Sequence, residues 1–250
     1  MAMFAKKAIT FCLLAVILTG CSGQVNGNLR RDGSAELSLE INLESRMTVL
    51  IRSLGAFSSD APPDRNAPVI DGPAIARSMA VAPGIESVSL QNRTPSRIAG
   101  NIRISRVDEF LALPLASGAG DTVGKRFISF VPGNPPEDSR LVIAVDRSTA
   151  PLLLGMISED VRDYLSALMA PAATGERLSR GEYLELVGVF YGKALADEIA
   201  AARITAAIGF PGPVVSVKGG TFSGNRARFD IPLADLLVLE NPLEYEVVWR

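Results

Sequence analysis

The sequence contains no histidine. That absence removes Ser-His-Asp and Cys-His catalysis, and with them every zinc or iron site built on imidazole. Cysteine is nearly as scarce: the two thiols, Cys12 and Cys21, both lie near the start of the chain. The sequence also lacks a Walker A loop, a GxGxxG following a strand and an EF-hand loop. No stretch beyond residue 20 reads as a membrane span, which needs roughly 20 apolar residues. The two longest candidates are broken by charge, Leu152–Ala170 by Glu159, Asp160, Arg162 and Asp163, and Tyr183–Phe210 by Glu185, Lys193, Asp197, Glu198 and Arg203. The body is therefore expected to be soluble. With 25 basic residues against 27 acidic ones and no basic tract, nucleic acid is an unlikely match for its surface.

What is present begins at the amino terminus. Lys6 and Lys7 form a positive start, and Ala8 to Leu18 an apolar run interrupted by Thr10. A charged start, a short apolar stretch and small residues at a cut site are the parts of a secretory signal. The segment Leu18-Thr19-Gly20-Cys21 resembles the lipobox of bacterial lipoproteins. That resemblance implies cleavage between Gly20 and Cys21, a diacylglycerol on the Cys21 thiol and usually an acyl group on the new amine. Residues 1–20 are then a signal peptide, and the mature chain is residues 21–250. Cys12 leaves with the signal and Cys21 is consumed by lipid, so neither a disulfide nor a free thiol is left. Each buried acyl CH₂ adds about 0.8 kcal/mol of membrane affinity, so several chains anchor stably where one is marginal. Losing Lys6 and Lys7 leaves 23 basic residues and a net charge near −4. The location expected is the outside of the inner membrane or the outer membrane, with Ser22 leaning towards the outer one.

The mature chain reads as one α+β domain. Ala35, Leu37, Leu39, Ile41 and Leu43 alternate with polar residues, the pattern of a half-buried strand. Val25–Arg31 is its hairpin partner through Asp32-Gly33. Ser45 is placed to cap a helix carrying Val49, Leu50, Leu54 and Phe57. A second helix is expected over Gly72–Val81. Further hairpins pair Ile85–Gln91 with Arg97–Ser105, and Lys125–Val131 with Arg140–Val145. A short helix follows over Val107–Leu113. Two long helices, Thr149–Met169 and Ser179–Ala202, make a helical hairpin over about 149–202, the second opened by a Ser179/Glu182 capping box. Strands return at Val214–Lys218, Ala227–Ile231 and the alternating Leu243, Tyr245, Val247, Trp249. A weak repeat links Ile102–Ala112 with Phe229–Leu239, each a strand running into a short helix with an Asp near its start (Asp108, Asp235). The fold expected is an antiparallel sheet built from β-hairpins, with helices on one face and the helical hairpin inserted before the last strands.

This layout resembles the LppM-type lipoproteins, a bacterial family of lipidated α+β domains. The shared features are the lipobox, the hairpin Leu29-Arg-Arg-Asp-Gly-Ser-Ala-Glu-Leu-Ser-Leu, the central helical insertion and a closing strand ending at Trp249. Members of that family usually carry a transmembrane helix after the domain, whereas this sequence stops at Arg250. The resemblance implies an envelope protein whose folded part binds lipid, and it brings no catalytic residues with it.

Three polar groupings admit a functional reading beside a plain one. Glu159, Asp160 and Asp163 beside Arg162 are most simply a solvated helix face with local ion pairs. Asp108 and Asp235 suit helix N-termini, and Gly219-Gly220 with Gly224-Asn225 suit hairpin turns. The helical pair is different, because it carries more apolar surface than one seam between two helices needs. Leu153, Met156, Ile157, Leu165, Val187, Phe190 and Tyr191 are the candidate lining of an apolar pocket. The function expected is a lipid-anchored, non-enzymatic envelope lipoprotein that binds lipid or another apolar ligand, with no metal and no cofactor. The alternative is a structural or assembly lipoprotein that docks on another envelope protein, for instance through a strand edge.

Overall fold

A computed structural model describes residues 22–57, 66–111, 128–131, 133, 138–151 and 159–250. Its first element is β1 (Ser22–Leu29), which pairs with β2 (Ala35–Asn42) across the Asp32-Gly33 turn. Asp32 holds that turn by accepting from the Ser34 amide at 2.9 Å and the Ser34 hydroxyl at 2.7 Å. After β2 come α1 (Ser45–Phe57) and α2 (Gly72–Met79), then β3 (Ile85–Thr94), β4 (Arg97–Ile104) and α3 (Val107–Leu111). The second half contains β5 (Ile128–Val131), β6 (Ser139–Val145), α4 (Glu159–Ala167), α5 (Pro171–Thr174), α6 (Arg180–Tyr191) and α7 (Lys193–Ala201). It closes with β7 (Arg203–Gly209), β8 (Val214–Lys218), β9 (Thr221–Ser223), β10 (Arg226–Pro232), α8 (Leu233–Val238) and β11 (Leu243–Trp249).

The strands form two sheets. The larger runs β3-β4-β2-β1-β7-β10-β9 and the smaller β5-β6-β11-β8. Among the described residues the strand pairings are antiparallel except that of β1 with β7. The chain is thus α+β, as its hairpin-rich sequence implies. One core lies between the sheets, where Leu29, Ile102, Ala227 and Phe229 of the larger meet Val214, Val247 and Trp249 of the smaller. Trp249 stacks on Phe130 at 5.9 Å and leans on Phe210 at 4.6 Å, while Phe229 meets Tyr245 edge to face at 5.5 Å. Such aromatic pairs add about 0.5–1.5 kcal/mol each beyond their buried area. The closing aromatic of the sequence is therefore the hub of the inter-sheet core.

The helices divide their work. Ala76 of α2 packs over Leu90 and Ile98, on the same inner face of the larger sheet. Met47 and Ile51 of α1, Tyr183 and Val187 of α6, Leu195 and Ile199 of α7, and Leu237 and Val238 of α8 form a separate helical core. Among the described residues Leu43, Ala202 and Leu233 reach that core from the ends of β2, β7 and β10, so the helical layer sits at one end of the sheet. Of the helices expected on one face of the sheet, α2 lies on it, whereas α1, α6, α7 and α8 gather where the strands end. Arg147 ties the layer to the smaller sheet, donating to the carbonyls of Leu239 at 3.0 Å and Leu178 at 3.2 Å.

Two local expectations also change. The Ser179–Ala202 helix is broken at Gly192, whose φ of +93° and ψ of 148° suit a residue without a Cβ. The helical stretch ends at Ala201, in line with the expected end at Ala202, and the strand β7 follows it directly. Pairing with β1 on one side and β10 on the other draws Arg203–Gly209 into the middle of the sheet. The capping box at Ser179 and Glu182 forms as expected, with the Ser179 amide donating to Glu182 at 2.7 Å. Ser45 opens α1, yet the amides of Arg46 and Met47 donate at 3.1–3.2 Å to the carboxylate of Glu198, 151 or 152 residues away on α7. A charged acceptor across the fold takes the role that a local side chain was expected to fill.

Two stability predictions arise here. Tyr183 is fully buried and its hydroxyl has no partner among the described residues, and burial pushes its ionisation well above the ordinary tyrosine range. An orphaned buried hydroxyl costs about 1–3 kcal/mol. Tyr183→Phe is accordingly expected to raise the urea midpoint, by about 1 kcal/mol of stability; a drop would mean that the hydroxyl is satisfied. The second concerns acid. Asp146 is held below the usual carboxylate range by the Ser148 hydroxyl and the amides of Ser148 and Thr149, and Asp230 by Arg228 and Thr205. A carboxyl depressed in the fold stabilises above its unfolded value, and that contribution is lost as pH falls through the folded one. The urea midpoint should decline between about pH 5 and pH 2, and Asp146→Asn should flatten the decline.

Candidate functional site

The apolar pair of helices concentrates the candidate residues, and the fold separates them. Gly20, Cys21, Leu153, Met156 and Ile157 lie outside the described residues. Val187 is fully buried between α6 and its neighbours, with no exposed surface. Leu165 and Tyr191 are half-buried against the same core, and the Tyr191 hydroxyl donates to the carbonyl of Ala167. Phe190 faces outwards with 64% of its surface exposed. One helix thus carries Val187 into the core and Phe190 into solvent, which follows from a segment apolar on nearly every side.

The opening nearest these residues lies on the outer side of the same two helices. Leu184, Gly188 and Val189 of α6 and Ala196 and Ala200 of α7 line an open groove of about 340 Å³, with Glu185, Lys193 and Asp197 along its rim. The glycine break at 192 folds α7 back beside α6. A Cβ on Gly188 would touch Ala196 at 3.8 Å, so small residues give the groove its floor. Lys193 and Asp197 pair with each other at 2.7 Å, one turn apart, and close part of the rim to other ions. Val189 is 74% exposed beside this floor. Apolar content marks this helix in the sequence but does not mark which of its faces lines the groove. The signal that marks the face is the set of small residues Gly188, Ala196 and Ala200, which is quieter than the large apolar ones around it.

Of the polar groupings, Asp235 and the two glycine turns take their plain forms. The side chains of Glu159, Asp160 and Asp108 are not among those described, while Asp235 pairs with Arg180 at 3.2 Å. Gly219, with φ of +75°, and Gly224, with φ of +61°, turn β8 into β9 and β9 into β10. Asn225 donates its side-chain amide to the Phe210 carbonyl at 3.0 Å. Among the described residues no three acidic or cysteine side chains converge as metal ligands. No described helix is long and apolar enough to cross a membrane.

Comparison with solved structures finds the folded domain of LppM from Mycobacterium tuberculosis, determined by NMR. The two are 10% identical over 93% of this chain and 91% of that one, with a TM-score of 0.38. No protein family matches the chain, and no curated protein does. What the groove can do chemically therefore follows from its own residues. It offers an apolar floor, and Lys193 and Asp197 on its rim neutralise each other. That combination suits a hydrocarbon chain or an apolar side chain, and gives a charged substrate little to hold.

Proposed function

We propose that the protein is a lipid-anchored, non-enzymatic component of the bacterial envelope whose α6–α7 groove holds an apolar ligand, a lipid chain foremost. The anchor rests on Leu18-Thr19-Gly20-Cys21 and the signal before it. The groove reading rests on one observation: an apolar trough floored by small residues, beside a Val189 that is 74% exposed. Covering Val189 contributes about 1 kcal/mol, which favours an apolar guest without making its binding irreversible. α7 carries the groove down to Ala200, three residues from Arg203 in β7, and β7 pairs with the strand that follows Cys21. An acyl chain rising from the bilayer would meet the groove at that end.

The test is photo-cross-linking of the processed protein with a fatty acid bearing a diazirine near its methyl end. Adducts are expected within residues 184–200, and Gly188→Leu, which fills the floor, should reduce them at least tenfold. Adducts spread over the surface, or unchanged in Gly188→Leu, would overturn the groove as the binding site. In that case an exposed apolar face made for a protein partner is the reading left standing.

A further inference from the structure

We infer that the end of the larger sheet at which β1 begins rests on anionic lipid headgroups through a row of arginines. The inference rests on the anchored reading above and goes beyond it, since it fixes which surface faces the membrane. Ser22 is already paired as the first residue of β1, with Asn42 of β2 on one side and Arg203 of β7 on the other. A lipid on the preceding residue therefore has no linker. Its acyl chains can enter the bilayer only if the end of a central strand comes down to the headgroups with it.

The residues sharing that end are set by register. Arg97 pairs with Asn42, so Arg97, Asn42, Ser22 and Arg203 form one row across four adjacent strands. Directly paired residues point to the same face. Strands lie about 4.8 Å apart, which puts Arg203 one strand from Ser22 and Arg97 two strands away on the other side. Arg46 follows four residues after Asn42, at the first turn of α1, and its side chain is exposed.

The acids at this end are largely committed. Glu40 pairs with Arg97 at 2.6 Å, and Glu198 accepts from the amides that open α1. Glu44 lies beside them and has an interaction of its own. Arg203 spends one nitrogen on the carbonyls of Ala200 and Ala202, both at 2.8 Å, and remains exposed. Arg46 and Arg203 thus stand out around the anchor point, with Arg97 shared with Glu40, on a chain whose mature net charge is near −4. Guanidinium groups bind phosphate oxygens through paired hydrogen bonds, and a nearby bilayer supplies a dense layer of phosphodiesters.

The opposite end of the same face supplies an internal control. Arg226 pairs with Gly209, and Arg228 with Ala207, at the far end of β7. The experiment reconstitutes the processed full chain into vesicles of phosphatidylcholine, with or without phosphatidylglycerol. Arginine modification by phenylglyoxal is then read residue by residue by mass spectrometry. Modification of Arg46, Arg97 and Arg203 should slow roughly fivefold in the anionic vesicles, with Arg226 and Arg228 unchanged. In molar salt, where screening shortens to ~3 Å, the difference should vanish. Equal rates in both vesicles, or equal shielding at both ends of the sheet, would overturn the inference. The intact mass of the same sample separates this failure from the other: an unacylated Cys21 defeats the anchor and the inference together, whereas an acylated one without shielding defeats the inference alone.

Discussion

Gly100→Ala is expected to destabilise the protein by about 3 kcal/mol. Gly100 lies within β4, between β2 and β3, opposite Leu39 on one side and Leu90 on the other. A Cβ there would stand 1.8 Å from the Ser89 carbonyl oxygen and 2.8 Å from the Leu90 Cα. Both obstacles are backbone, so no side-chain rotation relieves the clash and the two strands must part. For a chain of this size each kcal/mol moves the thermal midpoint about 2–4 °C, so a fall of roughly 6–12 °C should be seen by calorimetry. Gly181→Ala is the contrasting variant. Gly181 sits in α6, where the nearest neighbour of an added Cβ is the Ser179 hydroxyl at 4.0 Å. Alanine should hold or raise stability there, by up to about 1 kcal/mol. Equal losses at both positions would mean that the β3–β4 approach is not as close as described.

The second large effect is functional. Cys21→Ser should abolish incorporation of labelled palmitate and prevent cleavage before residue 21. Cys12→Ser, which lies within the signal, should leave both intact. A serine hydroxyl is too weak a nucleophile to replace the thiol in accepting the diacylglycerol. Membrane retention would then rest on an uncleaved signal whose apolar run is too short to span. The readouts are radiolabel on a gel and the mass of the mature amino terminus. Persistent labelling of Cys21→Ser would place the lipid elsewhere and remove the reason to seat β1 at the bilayer.

The legible parts of this fold are those where local chemistry and tertiary context agree. The alternation of Ala35 to Leu43, the Asp32-Gly33 turn and the Ser179/Glu182 capping box are each set by a few neighbouring residues, and each forms. The strand-then-helix repeat at Ile102 and Phe229 also forms, as β4 into α3 and β10 into α8. What could not be read depends on distant partners. β7 is a strand because β1 and β10 flank it, whereas its alanines by themselves favour helix. The cap of α1 comes from Glu198, which no local pattern around Ser45 contains. Of the smaller sheet a hairpin count reaches only β5 and β6, because β11 is joined to β6 and β8 through long connections. At the candidate site, apolar content singled out α6. It could not tell Val187, sealed in the core, from Val189, exposed beside the groove, since that distinction is set by where α7 returns after Gly192.

The most direct test of the central claim is native mass spectrometry, with lipid extraction, of the processed protein released from its host in mild detergent. The account predicts an acylated Cys21 as first residue and one further lipid bound non-covalently at close to one per chain. Val189→Asp should lose that lipid while keeping the acyl groups. An acylated chain that carries no second lipid, and takes up none from offered phospholipid, would contradict the proposed groove.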